Sequence, residues 1–257
     1  MPPNPAQEHP FKRVANELRA EILRGDLAPG DKIPSENSLK DRFGVTRTTV
    51  RKGIALLRSE GLITSEQGRG AFVRERPHVN LRQTGSIYRA RRHSGKSNFN
   101  AEAEAQGQRP KQAIREVVET SAPERVAVLL GVEPGAPVIA RRLLFTADGS
   151  PMQLVDCYYD SAMATGTRLA EARLIKGGVN AYIEAPDGPI GRRIVQFIED
   201  LDIRMPYPHE AEQLDIPAGV PVARVFRTAY DSAGDALEVL DSIIPCDRHA
   251  FRYVIDV

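Results

Sequence analysis

The 257-residue chain has no tryptophan, only two cysteines, four methionines and five histidines, and 6% of its residues are aromatic. Cys157 and Cys246 stand far apart without ligand spacing. That excludes a disulfide framework and a cysteine zinc site, and leaves buried thiols as the expectation. No apolar run is long enough to span a membrane and no signal-peptide pattern is present, so a reducing, cytoplasmic setting is expected. Phosphate-cradling glycine loops and metal-binding boxes are also missing, so no cofactor and no metal is expected. Nor is there a surplus of one charge, since 35 Lys/Arg against 34 Asp/Glu leave +1. That balance hides an asymmetry. Residues 1–98 hold 19 of the Lys/Arg and 10 of the Asp/Glu, and residues 99–257 hold 16 and 24. The first part is therefore about +9 and the second about −8.

What the sequence does contain is concentrated in residues 33–57. Ser35 follows a proline and precedes Glu36, a helix start in which a hydroxyl caps free N–H groups and a carboxylate suits the positive helix end. Leu39 and Phe43 share a face, Gly44 turns the chain, and Thr46 can cap a second helix. In that helix Val50, Ile54 and Leu57 form an apolar stripe, Thr48, Arg51 and Lys52 fall roughly opposite, and Arg47 sits at the edge. Taken alone, this reads equally as an amphipathic helix with a solvated basic face. The surroundings favour a helix-turn-helix. Phe11, Ala15, Leu18 and Ile22 stripe a preceding helix that Gly25-Asp-Leu-Ala-Pro-Gly-Asp breaks. After Gly61, residues 62–73 read as a β-hairpin wing around Gly68-Arg69-Gly70. Glycines there let the backbone approach phosphates, and arginine is favoured in a narrow minor groove. A basic part followed by an acidic remainder suits a nucleic-acid module joined to a domain that need not touch DNA.

Residues 10–74 resemble the winged helix-turn-helix of the GntR family of bacterial transcription regulators. The resemblance is carried by Leu27-Ala-Pro-Gly-Asp-Lys-Ile-Pro-Ser-Glu, Phe43-Gly-Val-Thr-Arg-Thr-Thr-Val-Arg-Lys, Glu60-Gly-Leu-Ile and Gln67-Gly-Arg-Gly-Ala-Phe-Val. It implies DNA contacts from Thr46, Arg47, Thr48, Thr49 and Arg51 on the recognition helix and from Gly68, Arg69 and Gly70 on the wing. Ser35 and Lys52 complete the candidate DNA-binding set. Asn37 stands where some relatives carry a DNA-contacting arginine. Chemically, arginine binds guanine O6 and N7 bidentately, and threonine contacts phosphate or the thymine methyl. Arg47 and Arg51 are expected to read bases, while Thr46, Thr48 and Thr49 position the helix.

The expected division is a flexible arm at 1–9, a reader at 10–76, a linker at 77–97 and a second domain at 98–257. Arg89, Arg91, Arg92 and Lys96 of the linker either graze phosphates or are simply solvated. The second domain is rich in strand candidates at 111–120, 136–147, 151–159, 190–204, 220–231, 236–245 and 251–257, with helices near 99–106, 123–130, 179–185 and 208–214. Asp148-Gly149-Ser150 and Ser232-Ala-Gly-Asp235 are hairpin signals. The fold class is α+β, an antiparallel sheet with helices against one face. Leu130-Gly-Val-Glu-Pro-Gly-Ala-Pro-Val138 recurs as Leu214-Asp-Ile-Pro-Ala-Gly-Val-Pro-Val222. This reads either as two related halves leaving a cleft between them or as one strand-start motif used twice.

This second region resembles the UTRA effector-binding domain of the HutC subfamily, which has a chorismate-lyase-like fold. The matching features run from Tyr88-Arg-Ala-Arg-Arg through Asp148-Gly-x-Pro151 and Arg204-x-Pro206 to Asp247-Arg248 and Phe251-Arg-Tyr253. The resemblance implies a small-molecule effector, a homodimer, and operator affinity that changes on effector binding. A repressor is the commonest outcome. A twofold dimer would read a palindromic double-stranded DNA operator. Arginines that hold phosphate in amino-sugar-phosphate-sensing relatives are replaced here by Leu143 and Phe145, and a serine and a tyrosine by Gly178 and Asn180. Asn100 stands for a threonine, and Glu238 matches a sugar-contacting glutamate. The candidate effector residues are Asn100, Arg141, Asn180 and Glu238, and the expected ligand is less anionic than a sugar phosphate. Arg141, Arg142, Arg224 and Arg227 either compensate or make salt bridges.

Catalysis is not expected. His93, His209 and His249 have no evident nucleophile or metal partner. In the acidic cluster, alternation sends Glu199 one way and Asp200 and Asp202 the other.

Overall fold

In the computed structural model, which describes residues 9–66, 68–75, 81–84 and 97–252, proline starts the first helix. Helix α1 (Pro10–Arg24) ends on Gly25 at φ 85°. Helix α2 (Glu36–Phe43) is capped by Ser35, whose hydroxyl accepts from Ser38 N, and stops at Gly44. Helix α3 (Arg47–Ser59) is capped in the same way by Thr46. The wing follows as β1 (Ile63–Glu66) and β2 (Gly70–Val73), antiparallel with Glu66 opposite Gly70. The helices meet in one core of Val14, Ala15, Leu18, Leu39, Val50 and Leu57, closed by Ile63 and Val73 of the wing; Val14 takes the place expected of Phe11.

Gly53 is what lets α1 lie against α3. A Cβ there would stand 3.0 Å from Phe11 O and 3.1 Å from Val14 Cγ1. Leucine is the better helix former, by somewhat less than the about 0.8–1 kcal/mol that separates glycine from alanine. Overpacking against backbone costs about 1–3 kcal/mol, and the fixed carbonyl puts this site at the upper end. Gly53→Leu is expected to lower the urea midpoint of the reader; a rise would mean that the helices have room to part.

The backbone separates into two units, Met1–Pro77 with Ile216–Val220, and His78–Asp215 with Pro221–Val257. The second unit holds a six-stranded sheet ordered β4-β5-β6-β9-β8-β7. Its strands are β4 (Pro110–Ser121), β5 (Pro137–Ala147), β6 (Ser150–Asp160), β7 (Ile194–Arg204), β8 (Val222–Asp231) and β9 (Ala236–Pro245). Its helices are α4 (Asn98–Ala105), α5 (Glu124–Leu130), α6 (Ser161–Ala164), α7 (Val179–Glu184) and α8 (Pro208–Gln213), with a 3-10 turn at Arg168–Ala170. A further pair, β3 (Leu81–Thr84) and β10 (His249–Arg252), is parallel. Asp148 at φ 48° and Gly149 at φ 84° form the tight β5–β6 turn, both positive as such hairpins require. The strand expected at 190–204 begins only at Ile194, because Gly191 turns the chain at φ 62°.

The repeat is structural. Strand, helix, strand and strand occur twice in order, as β4-α5-β5-β6 and as β7-α8-β8-β9. Leu130 and Leu214 close equivalent helices, followed by Gly131 at φ 70° and Asp215 at φ 49°. Two expectations are corrected here. The halves are not parted by a cleft along their seam: β6 pairs directly with β9, Asp156 opposite Asp241. Helices also cover both faces of the sheet, not one. Tyr159 lies in a core shared with residues 163–194, while its neighbour Tyr158 lies in a core with Val126, Ala127 and Leu130 of α5.

Residues 1–8 of the arm expected at 1–9, Arg89, Arg91, Arg92 and Lys96 of the linker, and residues 253–257 of the last expected strand lie outside the described residues. Among the described residues, no helix is long and apolar enough to cross a membrane, and no group of three or more His, Cys, Asp or Glu side chains could hold a metal.

Candidate functional site

Val50, Gly53 and Leu57 face the core, so helical periodicity turns the other side of α3 outward. Arg47, Thr48, Arg51 and Lys52 are exposed there. Thr46 accepts from Thr49 N at 3.2 Å, and the two hydroxyls lie 2.9 Å apart. Both threonines therefore fix the helix start that any phosphate would meet. Ser35 does the same for α2, accepting from Ser38 N at 3.2 Å.

The arginines have partners that spacing does not reveal. Arg47 Nε donates to Asn37 Oδ1 at 2.9 Å. Arg51 Nε donates to both carboxylate oxygens of Glu36, each at 2.9 Å. This ion pair holds the Arg51 guanidinium above its ordinary value, first through the hydrogen bond and then through charge. At the wing tip Gly68 and Gly70 have φ 76° and 116°. Arg69 between them pairs with Glu66 and lies over the Phe72 ring, 5.5 Å from its centroid.

In the second unit some of the candidate effector residues lie on neighbouring turns. Ser97 caps α4 by accepting from Asn100 N at 3.3 Å. Gln112 Nε2 of β4 donates to Ser97 Oγ at 2.5 Å and to Asn100 Oδ1 at 3.0 Å. Gly178, at φ 90°, brings the start of α7 against the same turn: a Cβ there would lie 3.4 Å from Ser97 Cα. Asn180 follows, and its Oδ1 is buried without a partner. Phe145 packs on Phe99 with centroids 4.8 Å apart, and Leu143 is buried in the core. Leu143 and Phe145 thus make this side of the turn apolar.

Arg141 makes no salt bridge among the described residues. It is buried, and it donates to four carbonyls: Arg168 O at 3.2 Å, Leu169 O at 2.8 Å, Glu171 O at 2.7 Å and Arg173 O at 2.9 Å. These bonds pin residues 168–173 over the sheet. The other three arginines do make ion pairs, Arg142 with Glu116, Arg224 with Asp241, and Arg227 with Glu199. Glu199 and the pair Asp200 and Asp202 do diverge, the latter two reaching Arg125.

Glu238 is buried and accepts from the Tyr159 hydroxyl. Burial pushes its carboxyl up, with Tyr159 and then Arg227 drawing it back. Burial likewise raises the Cys157 thiol beside it. Both cysteines are free thiols, Cys157 buried and Cys246 half-buried.

Ser97 and Gln112 escaped sequence reasoning; the Ser-Asn-Phe cap before α4 was the only available signal. Arg248 also escaped as a structural hub. It is buried and donates to Pro151 O, Leu214 O and Asp215 O, tying the start of β6 to the end of α8. His249 is buried too. Desolvation lowers it to about 4, so the ring is neutral at physiological pH, and Nδ1 bonds Pro245 O.

Residues 10–73 match the model of bacterial regulatory proteins of the gntR family, and residues 105–250 match the UTRA domain. The HTH-type transcriptional repressor NagR of Bacillus subtilis (strain 168) is 25% identical over 247 residues, covering 96% of this chain and 94% of that protein. An HTH-type transcriptional regulator of Rhizobium meliloti (strain 1021) is 30% identical over 178 residues, 68% of this chain and 67% of that one. A crystal structure of a GntR-family transcriptional regulator aligns with a TM-score of 0.71 at 27% identity, covering 98% of this chain and 99% of that one.

Proposed function

The chain belongs to the GntR family and carries a UTRA domain, which makes it a DNA-binding transcription regulator with an effector domain and not an enzyme; from that premise we propose how its residues do this work. The reader spans residues 10–76. It places α3 in the major groove, with Arg47 and Arg51 on base edges and Thr46, Thr48, Thr49 and Lys52 on phosphates. Ser35 lies at the backbone, and Gly68, Arg69 and Gly70 enter the adjacent minor groove. The observation that carries this reading is the basic outer side of α3, exposed along a helix whose other side is core.

Residues 98–257 bind the effector and dimerise the chain, so that two readers meet a palindromic operator in the cytoplasm. The effector is neutral or weakly anionic. Asn100 and Asn180 bond it, with Ser97 and Gln112 behind Asn100 and Glu238 as the buried acidic partner. The apolar contact of Phe145 with Phe99 supports this choice, because a phosphate there would lose two charge-assisted hydrogen bonds of about 1.5–3 kcal/mol each. Effector must bind the free and operator-bound arrangements with different affinity for the switch to work.

The test begins with duplexes that the protein itself selects from a random pool, bound in fluorescence anisotropy across a salt series. Affinity is expected to fall with a log–log slope of about −0.9 per phosphate contacted. Neutral hydroxy-amides are then compared with sugar phosphates. A shift in operator affinity with the neutral set alone supports the reading. A shift with the phosphates alone refutes the ligand class, and failure to select any duplex refutes the reader.

A further inference from the structure

Two exposed arginines on α3 are held in the same way by two consecutive residues of α2. Asn37 takes Arg47 Nε, and Glu36 takes Arg51 Nε. In both cases the bond is made by Nε. The terminal nitrogens of Arg47 and Arg51 make no hydrogen bond within the chain among the described residues. Anchoring Nε fixes the guanidinium plane and leaves its two outer nitrogens as a fork, the geometry that grips guanine O6 and N7. Fold stability does not account for these contacts, since exposed polar pairs contribute little to it. All four side chains lie on the surface or at its margin.

We infer that Asn37 and Glu36 are positioning residues that preset the two reading arginines for guanine before DNA arrives. The inference rests on Arg47 and Arg51 being base readers. Asn37 thereby gains a role that does not depend on touching DNA. The asparagine turns its carbonyl oxygen to Arg47. A side chain ordered in advance loses less freedom on binding, and its gain is confined to the base it is aimed at. Glu36 is the less clean probe, because it also stands in the first turn of α2, where a carboxylate favours the helix.

The experiment therefore uses Asn37 in the full-length protein. Its probes are a duplex selected by that protein from a random pool, the same duplex with guanine replaced by 7-deazaguanine, and a scrambled duplex. Asn37→Ala is expected to weaken binding to the selected duplex about 5–30-fold and leave scrambled-duplex binding and the salt slope unchanged. Its preference for guanine over 7-deazaguanine should shrink by a similar factor. Asn37→Asp keeps the acceptor and should keep the preference. On an Arg47→Ala background, Asn37→Ala should add nothing. Full additivity of the two changes, or an equal loss on scrambled duplex, would mean that Asn37 touches DNA itself and overturns the inference. An unchanged preference in Asn37→Ala overturns it as well. If Arg47→Ala alone binds the selected duplex normally, the base-reading assignment falls, and this inference with it.

Discussion

Arg141→Leu is expected to destabilise the effector unit by about 3–5 kcal/mol, because it strands several buried carbonyls that each cost about 1–3 kcal/mol when left unpaired. Four carbonyls from residues 168–173 converge on one guanidinium. Leucine supplies none of the donors, and the segment it leaves has no strand or long helix to hold it. For a unit of this size the loss corresponds to a fall of about 6–20 °C in its thermal midpoint. Lysine should rescue little, because a point charge with three donors cannot span four carbonyls as the planar fork does. Thermal unfolding, with binding of the selected duplex at low temperature as the control for the reader, checks it. A variant of wild-type stability that has lost only its response to effector would restore Arg141 as a ligand.

The second large effect is on DNA. Replacing both Arg47 and Arg51 by alanine should remove two guanine contacts of about 1–3 kcal/mol each. Their sum, about 2–6 kcal/mol, is a loss of roughly 30-fold to 20,000-fold, and larger if two readers bind together. The signature is as telling as the size. Tolerance for base changes at the affected positions should rise, while the salt slope falls by no more than the phosphate contacts that these side chains share. Lys52→Ala should do the reverse, lowering the slope without relaxing sequence preference. Anisotropy on single-base variants of the selected duplex separates the two patterns. Retention of sequence preference by the double variant would move the reading surface off α3.

Much of this was legible before any coordinates. The caps at Ser35 and Thr46, the wing glycines and both hairpin turns are local chemistry, written at the positions where they act. The long strands were legible for the same reason. Their apolar, β-branched composition marks them, and turn residues bound them.

What escaped was pairing at a distance. Nothing near Arg47 in sequence names Asn37, ten residues earlier on another helix. Likewise Arg141 reads as a strand cation until residues 168–173 fold over it. The two-sided cover of the sheet is nonetheless written in the sequence. In β6, residues 152–155 and 157–159 are all buried, so Met-Gln-Leu-Val and Cys-Tyr-Tyr do not alternate in burial. A near-continuous apolar run is what a strand covered on both faces requires. The short helix at 161–164 and the 3-10 turn lack enough length for a period to show. The parallel pair β3–β10 joins segments whose partnership no turn encodes.

The seam between the two halves bears on how the protein avoids aggregation. Within each half the strands pair with near neighbours in the chain, whereas β6 and β9 meet across more than eighty residues, Tyr158 opposite Val239. Either half alone would end in an unpaired central strand of largely buried side chains, a template for any passing chain. Each half thus serves as the other's edge protection, in the way that two subunits of a twofold dimer shield one another, but on a single chain where the partner is always present at the same effective concentration.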